Sequence, residues 1–315
     1  MKNLIAAIEV VLVSILSIQC AQVGFVDRAS AQRHSRIVSL APNLTEILFE
    51  LGAGDHVVGV TNFCKYPPEA QTKEKIGDFI NPNLEKIVSL KPDLVLAERW
   101  TSTKIVPRLR QMGLNVTETA SPKSLAEIYQ VIRQVGSTVG KSDRAEALIG
   151  KMQTRVRAIQ ERGNRFPYRP AVYIEIDLPS WTVGRTSFVA EALSLCGAKN
   201  IFGDVDRPAL QVSKEMVIER NPEIIISFEA RAAEIRRRPG WDQIKAVREG
   251  KIIDDLRPNL LSHGNHRLVD GMEELQLKLE KLVVRSSSSV VRGPLSVVNP
   301  DYLQMFTAEA QRAQR

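Results

Sequence analysis

Cysteine is scarce. Cys20, Cys64 and Cys196 share no C-x-x-C spacing, so they make no thiol-based zinc site by themselves and no disulfide framework. No P-loop, G-x-G-x-x-G, G-x-S-x-G or H-E-x-x-H spacing occurs, and no nucleophile-base pair or complete metal set is visible, which disfavours an enzyme. Histidine is limited to His34, His56, His263 and His266. His34 falls in the leader region, and His56 follows a Gly-Asp turn as an exposed loop residue. Aromatic residues make up only 5% of the chain, so each Trp or Phe in an expected loop stands out.

What is present describes a soluble globular protein. The 315 residues are 43% hydrophobic and 25% charged, enough for two lobes of ordinary domain size. The net charge of +7 is spread along the chain among 36 acids. The run Arg236-Arg237-Arg238 reads as a solvated helix face, and no nucleic-acid partner is expected.

The N-terminus indicates export. Leu4–Ile18 is an apolar run of signal-sequence length, too short for a comfortable membrane span and interrupted by Glu9. Cys20 is a candidate lipid-attachment residue, although Gln19 before it is bulky. Ala29-Ser30-Ala31 is an alternative cleavage site, and an uncleaved anchor helix is the other reading. Residues 1–31 are taken as the leader, and the location as periplasmic or otherwise extracytoplasmic.

From Arg36 onward, short apolar strands alternate with capped helices, the pattern of an α/β domain. Strands are expected at 37–40, 57–60 and 93–97. Asn43-Leu44-Thr45-Glu46 and Ser124-Leu125-Ala126-Glu127 have capping-box spacing, starting one helix that stops at Gly52 and another that runs towards Gly136. From Ser142 to Gly163, apolar or small residues recur at Ala145, Leu148, Met152, Val156 and Ile159, which predicts one long amphipathic helix. The α/β alternation restarts with a strand at 171–176. The expectation is therefore two Rossmann-like α/β lobes, 36–141 and 168–283, joined by one rigid helix over 142–163 with a ligand cleft between them. Residues 284–315 are expected to form a disordered or weakly helical tail.

An internal repeat supports two related lobes. An offset of 130 residues relates Glu85 to Glu215 and Pro92 to Pro222, each pair lying in a capped short helix, a proline stop and a buried strand. A second echo pairs Leu51-Gly52-Ala53 with Cys196-Gly197-Ala198. Glu85 and Glu215 fall in helix first turns, where free amides favour a carboxylate. They act either as capping residues alone or as matched exposed contacts for a two-fold symmetric partner with basic pockets.

Phe63, Tyr66, Phe79, Trp100, Trp181 and Phe228 follow strand ends or sit among turn residues, where aromatic walls suit a large, flat, partly apolar ligand. His263 and His266 flank Gly264-Asn265 in a loop that is either simply polar or a source of ligands to the metal of a bound cofactor.

Arg36–Glu46, Tyr66–Glu69, Asn83–Val88, Lys91–Val95, Gln211–Glu215 and Arg267–Gly271 occur in an order that resembles the cobalamin and iron-chelate binding proteins of ABC importers, over residues 36–282. The resemblance implies a monomer without catalysis, which hands its ligand to a two-fold permease with ATPase subunits. Glu85 and Glu215 match the permease-docking positions. The ligand-binding set implied is Pro42, Phe63, Phe79, Trp100, Trp181 and Arg267, with cobalamin or a related corrinoid as ligand and haem or a ferric siderophore as the alternative. The chain departs from the cobalamin-binding members at Ala209, where they have a cleft Trp, in the loop 259–266, and at Cys196, whose disulfide partner is absent.

Overall fold

The computed structural model describes residues 34–288 apart from Phe79, 100–103 and Pro179. The leader 1–31 with Cys20, the aromatic positions Phe79 and Trp100, and the chain beyond 288 lie outside the described residues.

The first lobe is a parallel sheet of β1 (Ile37–Ser39), β2 (Val57–Val60), β3 (Glu74–Lys75), β4 (Leu94–Glu98) and β5 (Val116–Thr119), in the order β3-β2-β1-β4-β5. Its helices are α1 (Pro42–Glu50), α2 (Leu84–Ser89), α3 (Ile105–Gln111) and α4 (Leu125–Thr138). Because α-helices cover both faces, the central strands are buried throughout and read as apolar runs rather than alternating ones. Strand order reverses between β1 and β4, which opens a crevice at their carboxyl ends.

The linking helix α5 covers Ser142–Gly163, and its 22 residues reach about 33 Å. Ala145, Ile149, Met152 and Ile159 form its buried stripe, with Leu148 and Val156 partly buried beside it. Helix α4 runs past Gly136 to Thr138, and Ala145 of α5 packs so close there that a Cβ at Gly136 would come within 2.5 Å of the Ala145 Cβ.

The second lobe contains β6 (Ala171–Asp177), β7 (Trp181–Val183), β8 (Lys199–Asn200), β9 (Ala209–Gln211), β10 (Ile224–Ser227) and β11 (Ile252–Ile253), with α6 (Phe188–Leu195), α7 (Lys214–Arg220), α8 (Ala232–Arg236), α9 (Lys245–Arg248), α10 (Pro258–Ser262) and α11 (Leu268–Ser288). Its sheet is mixed: β10, β11 and β8 run parallel to their neighbours, whereas β7 is antiparallel to both β6 and β9. The second lobe is thus less Rossmann-like than the first. Helix α11 continues to Ser288, into the segment expected to be tail.

One apolar core runs through both lobes and the helix, joining Leu44 and Leu96 to Met152 and Ile159 and on to Val172, Ile174 and Leu275. Two smaller clusters, around Val38 and Val95 and around Tyr173 and Trp241, cover the outer sheet faces.

The repeat reaches the backbone. Lys91 (φ 47°) and Asn221 (φ 42°) end α2 and α7 in the left-handed region, each before a proline. Asp93 accepts the Ser35 and Arg36 N–H groups at the start of β1, and Glu223 accepts the Ala171 N–H at the start of β6. His34, which was assigned to the leader, is instead buried beside Asp93, its Nδ1 3.4 Å from the carboxylate.

The arginine run is not one solvated face. Arg236 and Arg237 are exposed, but Arg238 forms a bidentate pair with the fully buried Glu175, at 2.7 and 2.8 Å, and stacks on Trp241. Cys64 and Cys196 are free and buried, and burial pushes both thiols up, away from the reactive thiolate.

Candidate functional site between the lobes

A cavity of about 510 Å³ opens where the two lobes face each other, at the switch point between β1 and β4. The first lobe contributes Pro42 and Asn43 from the start of α1, Glu98 from the end of β4, and Ser121 and Pro122 after β5. The second contributes Phe188 from the start of α6 and the turn Ser262-His263-Gly264. Pro42, Pro122 and Phe188 provide apolar surface, and Glu98, Asn43 and His263 the polar groups, a mixture suited to a partly apolar ligand held by a few directed contacts. Gly264 fits against Pro122 only because it lacks a side chain, since a Cβ there would lie 2.7 Å from the proline ring.

Glu46 anchors this junction. Asn43 was expected to cap α1 with Glu46 closing a capping box. Instead Ala41 is the N-cap without a side-chain bond, Pro42 is the first helical residue, and Asn43 Oδ1 accepts the Leu44 N–H. That frees the Glu46 side chain, 2% exposed, to cross to the second lobe. Its carboxylate accepts from Arg267 Nη1 at 3.1 Å and Asn265 Nδ2 at 3.0 Å, and lies 2.9 Å from His263 Nδ1. A buried carboxylate is tolerated when its oxygens are satisfied in this way.

The two loop histidines part company. His263 lines the cavity, whereas His266 lines a second hollow of about 660 Å³ beside α5, together with Glu50, Tyr66, Lys151, Arg155, Arg267 and Asp270. They therefore do not form one metal-ligating pair. Burial holds the His266 imidazole below its ordinary value, against the pull of Glu50, Glu46 and Asp270. Arg267 is also turned from the expected place. Its guanidinium pairs with Glu46 and stacks 3.4 Å from the Tyr66 ring centre, on the side of the second hollow.

Trp181 is 39% exposed at the start of β7, paired with Asp177 at the carboxyl end of β6. Phe63 is 49% exposed just past the carboxyl end of β2. Both stand at cleft-side strand ends without lining the cavity itself. Phe228 is partly buried against the main core instead.

Glu85 and Glu215 are exposed near the starts of α2 and α7. Asn83 and Ser213 supply the caps, accepting the Lys86 and Met216 N–H groups, and the Glu215 carboxyl is held below its ordinary value by hydrogen bonds from its own N–H and the Ser213 hydroxyl.

Phe188, Pro122, Glu98 and the cross-lobe role of Glu46 were not anticipated. One signal was available: counting back from the paired turns Leu51-Gly52-Ala53 and Cys196-Gly197-Ala198 aligns Asn43 with Phe188 and Glu46 with Glu191.

The family model described as "Periplasmic binding protein" matches residues 37–257. An uncharacterized ABC transporter substrate-binding lipoprotein of Bacillus subtilis, YvrC, is 35% identical over 76% of this chain and 78% of its own. The solved vitamin B12-binding protein BtuF of Vibrio cholerae superposes with a TM-score of 0.69 at 27% identity, covering 79% of this chain and 98% of its own. The haem-binding protein RhuT of Roseiflexus, in its apo form, superposes with a TM-score of 0.71 at 27% identity, covering 79% and 99%. With two α/β lobes, one bridging helix and these matches, the chain belongs to the periplasmic binding proteins, substrate-binding components of ABC transporters and not enzymes.

Proposed function

We propose that this chain binds cobalamin or a related corrinoid between its lobes and delivers it to a two-fold symmetric permease with its ATPase subunits. The observation that carries the reading is the inter-lobe cavity at the β1/β4 switch point, walled by Pro42, Pro122 and Phe188. Trp181 and Phe63, exposed at cleft-side strand ends, offer flat surfaces for a macrocycle, and the resemblance adds Phe79 and Trp100 to the ligand-binding set. Haem or a ferric siderophore is the second reading, favoured for haem by His263 in the cavity and by the likeness to RhuT.

Glu85 and Glu215 are the docking contacts in this reading. The chain works as an extracytoplasmic monomer, with Cys20 as its candidate lipid anchor.

Calorimetry and native mass spectrometry of the full chain against corrinoids, haem and ferric siderophores test the ligand. One class should bind with one-to-one stoichiometry, and Trp181→Ala should weaken it by about 1–3 kcal/mol. Absence of binding across all three classes would refute the reading.

A further inference from the structure

We propose that a third hollow, on the second lobe, binds a small soluble anion of the phosphate-ester class, at a site separate from the inter-lobe cavity and independent of what that cavity holds. It encloses about 690 Å³, within the range of pockets that take small molecules.

The first argument is charge. Four cationic side chains, Arg169, Arg185, Lys199 and Arg220, line the hollow against two acids, Glu191 and Asp204, leaving a formal excess of two positive charges. Arg169 is engaged by neutral groups alone, donating to the Ser194 carbonyl and to Asn164 Oδ1, each at 3.0 Å. Lys199 is exposed and forms no ion pair among the described residues. Arg185 has a surface partner outside the hollow, Asp206 at 3.2 Å, with both side chains more than half exposed, and such pairs hold weakly. A phosphate monoester carries about two negative charges at neutral pH, which matches the excess.

The second argument is that the donors are set in place beforehand. Arg220, at the end of α7, is clamped by Asp204 at 2.6 and 2.8 Å, bonded to the Ile201 carbonyl and stacked 4.5 Å from the Phe202 ring centre. The wall beside it is fixed by Asn200, 8% exposed, whose Nδ2 donates to the Val183 carbonyl while its Oδ1 accepts the Phe202 N–H. With Arg169 held at both Nη atoms as well, little side-chain freedom is lost when an oxyanion arrives. Ala198 and Ile201 add apolar surface for the carbon body of an ester.

The third argument is position. Lys199 opens β8, which pairs with β6 alone among the described strands, and Arg169 lies just before β6. Both stand at the amino ends of parallel strands, and no residue lining this hollow lines the inter-lobe cavity. Asp204, its side chain 63% exposed, repels an extended anionic surface such as a membrane. That favours a compact anion able to enter the hollow.

The test is calorimetry of the full chain with glycerol 3-phosphate, with lactate as an anion of single charge, and with phosphatidylglycerol vesicles, all at matched ionic strength. Glycerol 3-phosphate should bind with one-to-one stoichiometry, and lactate more weakly. Arg169→Gln and Lys199→Gln should each lower the affinity on the order of tenfold. The Lys199 side chain makes no bond that its variant would break, so that loss is not one of folding. Arg237→Gln removes the same charge at an exposed position elsewhere and should change nothing. Asp204→Asn should tighten binding several-fold, by removing an acid and freeing Arg220, a gain that damage to the fold does not produce. No heat with glycerol 3-phosphate, equal weakening by Arg237→Gln and Lys199→Gln, equal affinity for lactate, or binding to the vesicles alone would each overturn the proposal.

Discussion

Glu46 on α1 and Glu191 on α6 stand at equivalent points of the two lobes, and each reaches into the other lobe. Glu46 meets Arg267, Asn265 and His263, while Glu191 accepts the Leu125 N–H at 2.8 Å, at the start of α4. Both helices end in the same turn: Gly52 (φ 70°) and Gly197 (φ 93°) adopt the left-handed region, and the following alanines donate back to Leu48 and Leu193. The lobes are therefore cross-bonded at two points as well as bridged by α5.

The two carboxylates should differ in energetic weight. Removing Glu46 strands the Arg267 charge in a site 13% exposed, so Glu46→Ala should cost about 3–5 kcal/mol. Glu191 is less buried and makes a single bond to Leu125 among those observed, so Glu191→Ala should cost about 1 kcal/mol. Urea denaturation of both variants checks the order, and equal losses would contradict it.

The difference between these two residues also shows what sequence reveals. Helix α5 was legible because its apolar stripe has helical period, not through its ends, where the N-cap is Lys141 without a side-chain bond and the C-cap is Asn164. The paired α2 and α7 were legible because capping residue, proline and strand recur together. Glu46 was misread because a carboxylate three residues after Asn43 satisfies a local rule, while its actual partners lie more than two hundred residues away. Phe188 and Pro122 carried no local signal at all, since their roles depend on how two lobes pack. Arg238 was hidden in a run whose other members are solvated.

That burial gives a stability prediction of its own. Among the described residues, Arg238→Ala leaves the Glu175 carboxylate, 0% exposed, with only the Ser227 hydroxyl at 3.3 Å. A loss of about 3–5 kcal/mol is expected, whereas Arg236→Ala and Arg237→Ala should stay within about 0.5 kcal/mol of the parent. Thermal or urea unfolding separates the three, and similar effects at all three positions would return the run to an ordinary surface.

His266 should make stability depend on pH. Burial lowers its folded-state pKa, so the unfolded chain binds its proton first as pH falls. Its contribution is complete above about pH 6.5, the unfolded value, and is lost progressively as pH drops towards the folded value. Unfolding free energy measured from pH 7.5 to 5 should decline more steeply in the parent than in His266→Gln. Parallel curves would show that this ring does not titrate between the two states.

The docking prediction concerns Glu85 and Glu215, which lie on separate lobes, exposed near the starts of α2 and α7 and away from the residues that line the cavity. Asn83 and Ser213 are the cap residues and both glutamates are exposed, so replacing either with Ala should leave fold and chelate affinity nearly intact. Transport should fall, because an exposed carboxylate docked against guanidinium groups forms charge-assisted bonds whose loss leaves a desolvated arginine unpaired, at a cost of about 2 kcal/mol or more. An ordinary exposed carboxylate such as Glu161 should matter far less. Charge reversal to Arg should be worse than Ala, since it sets like charges against each other, and the double Ala variant should bind its chelate yet fail to deliver it. Uptake into vesicles carrying the reconstituted permease, measured beside calorimetry on the same proteins, separates docking from binding; full transport by the double variant would end the assignment.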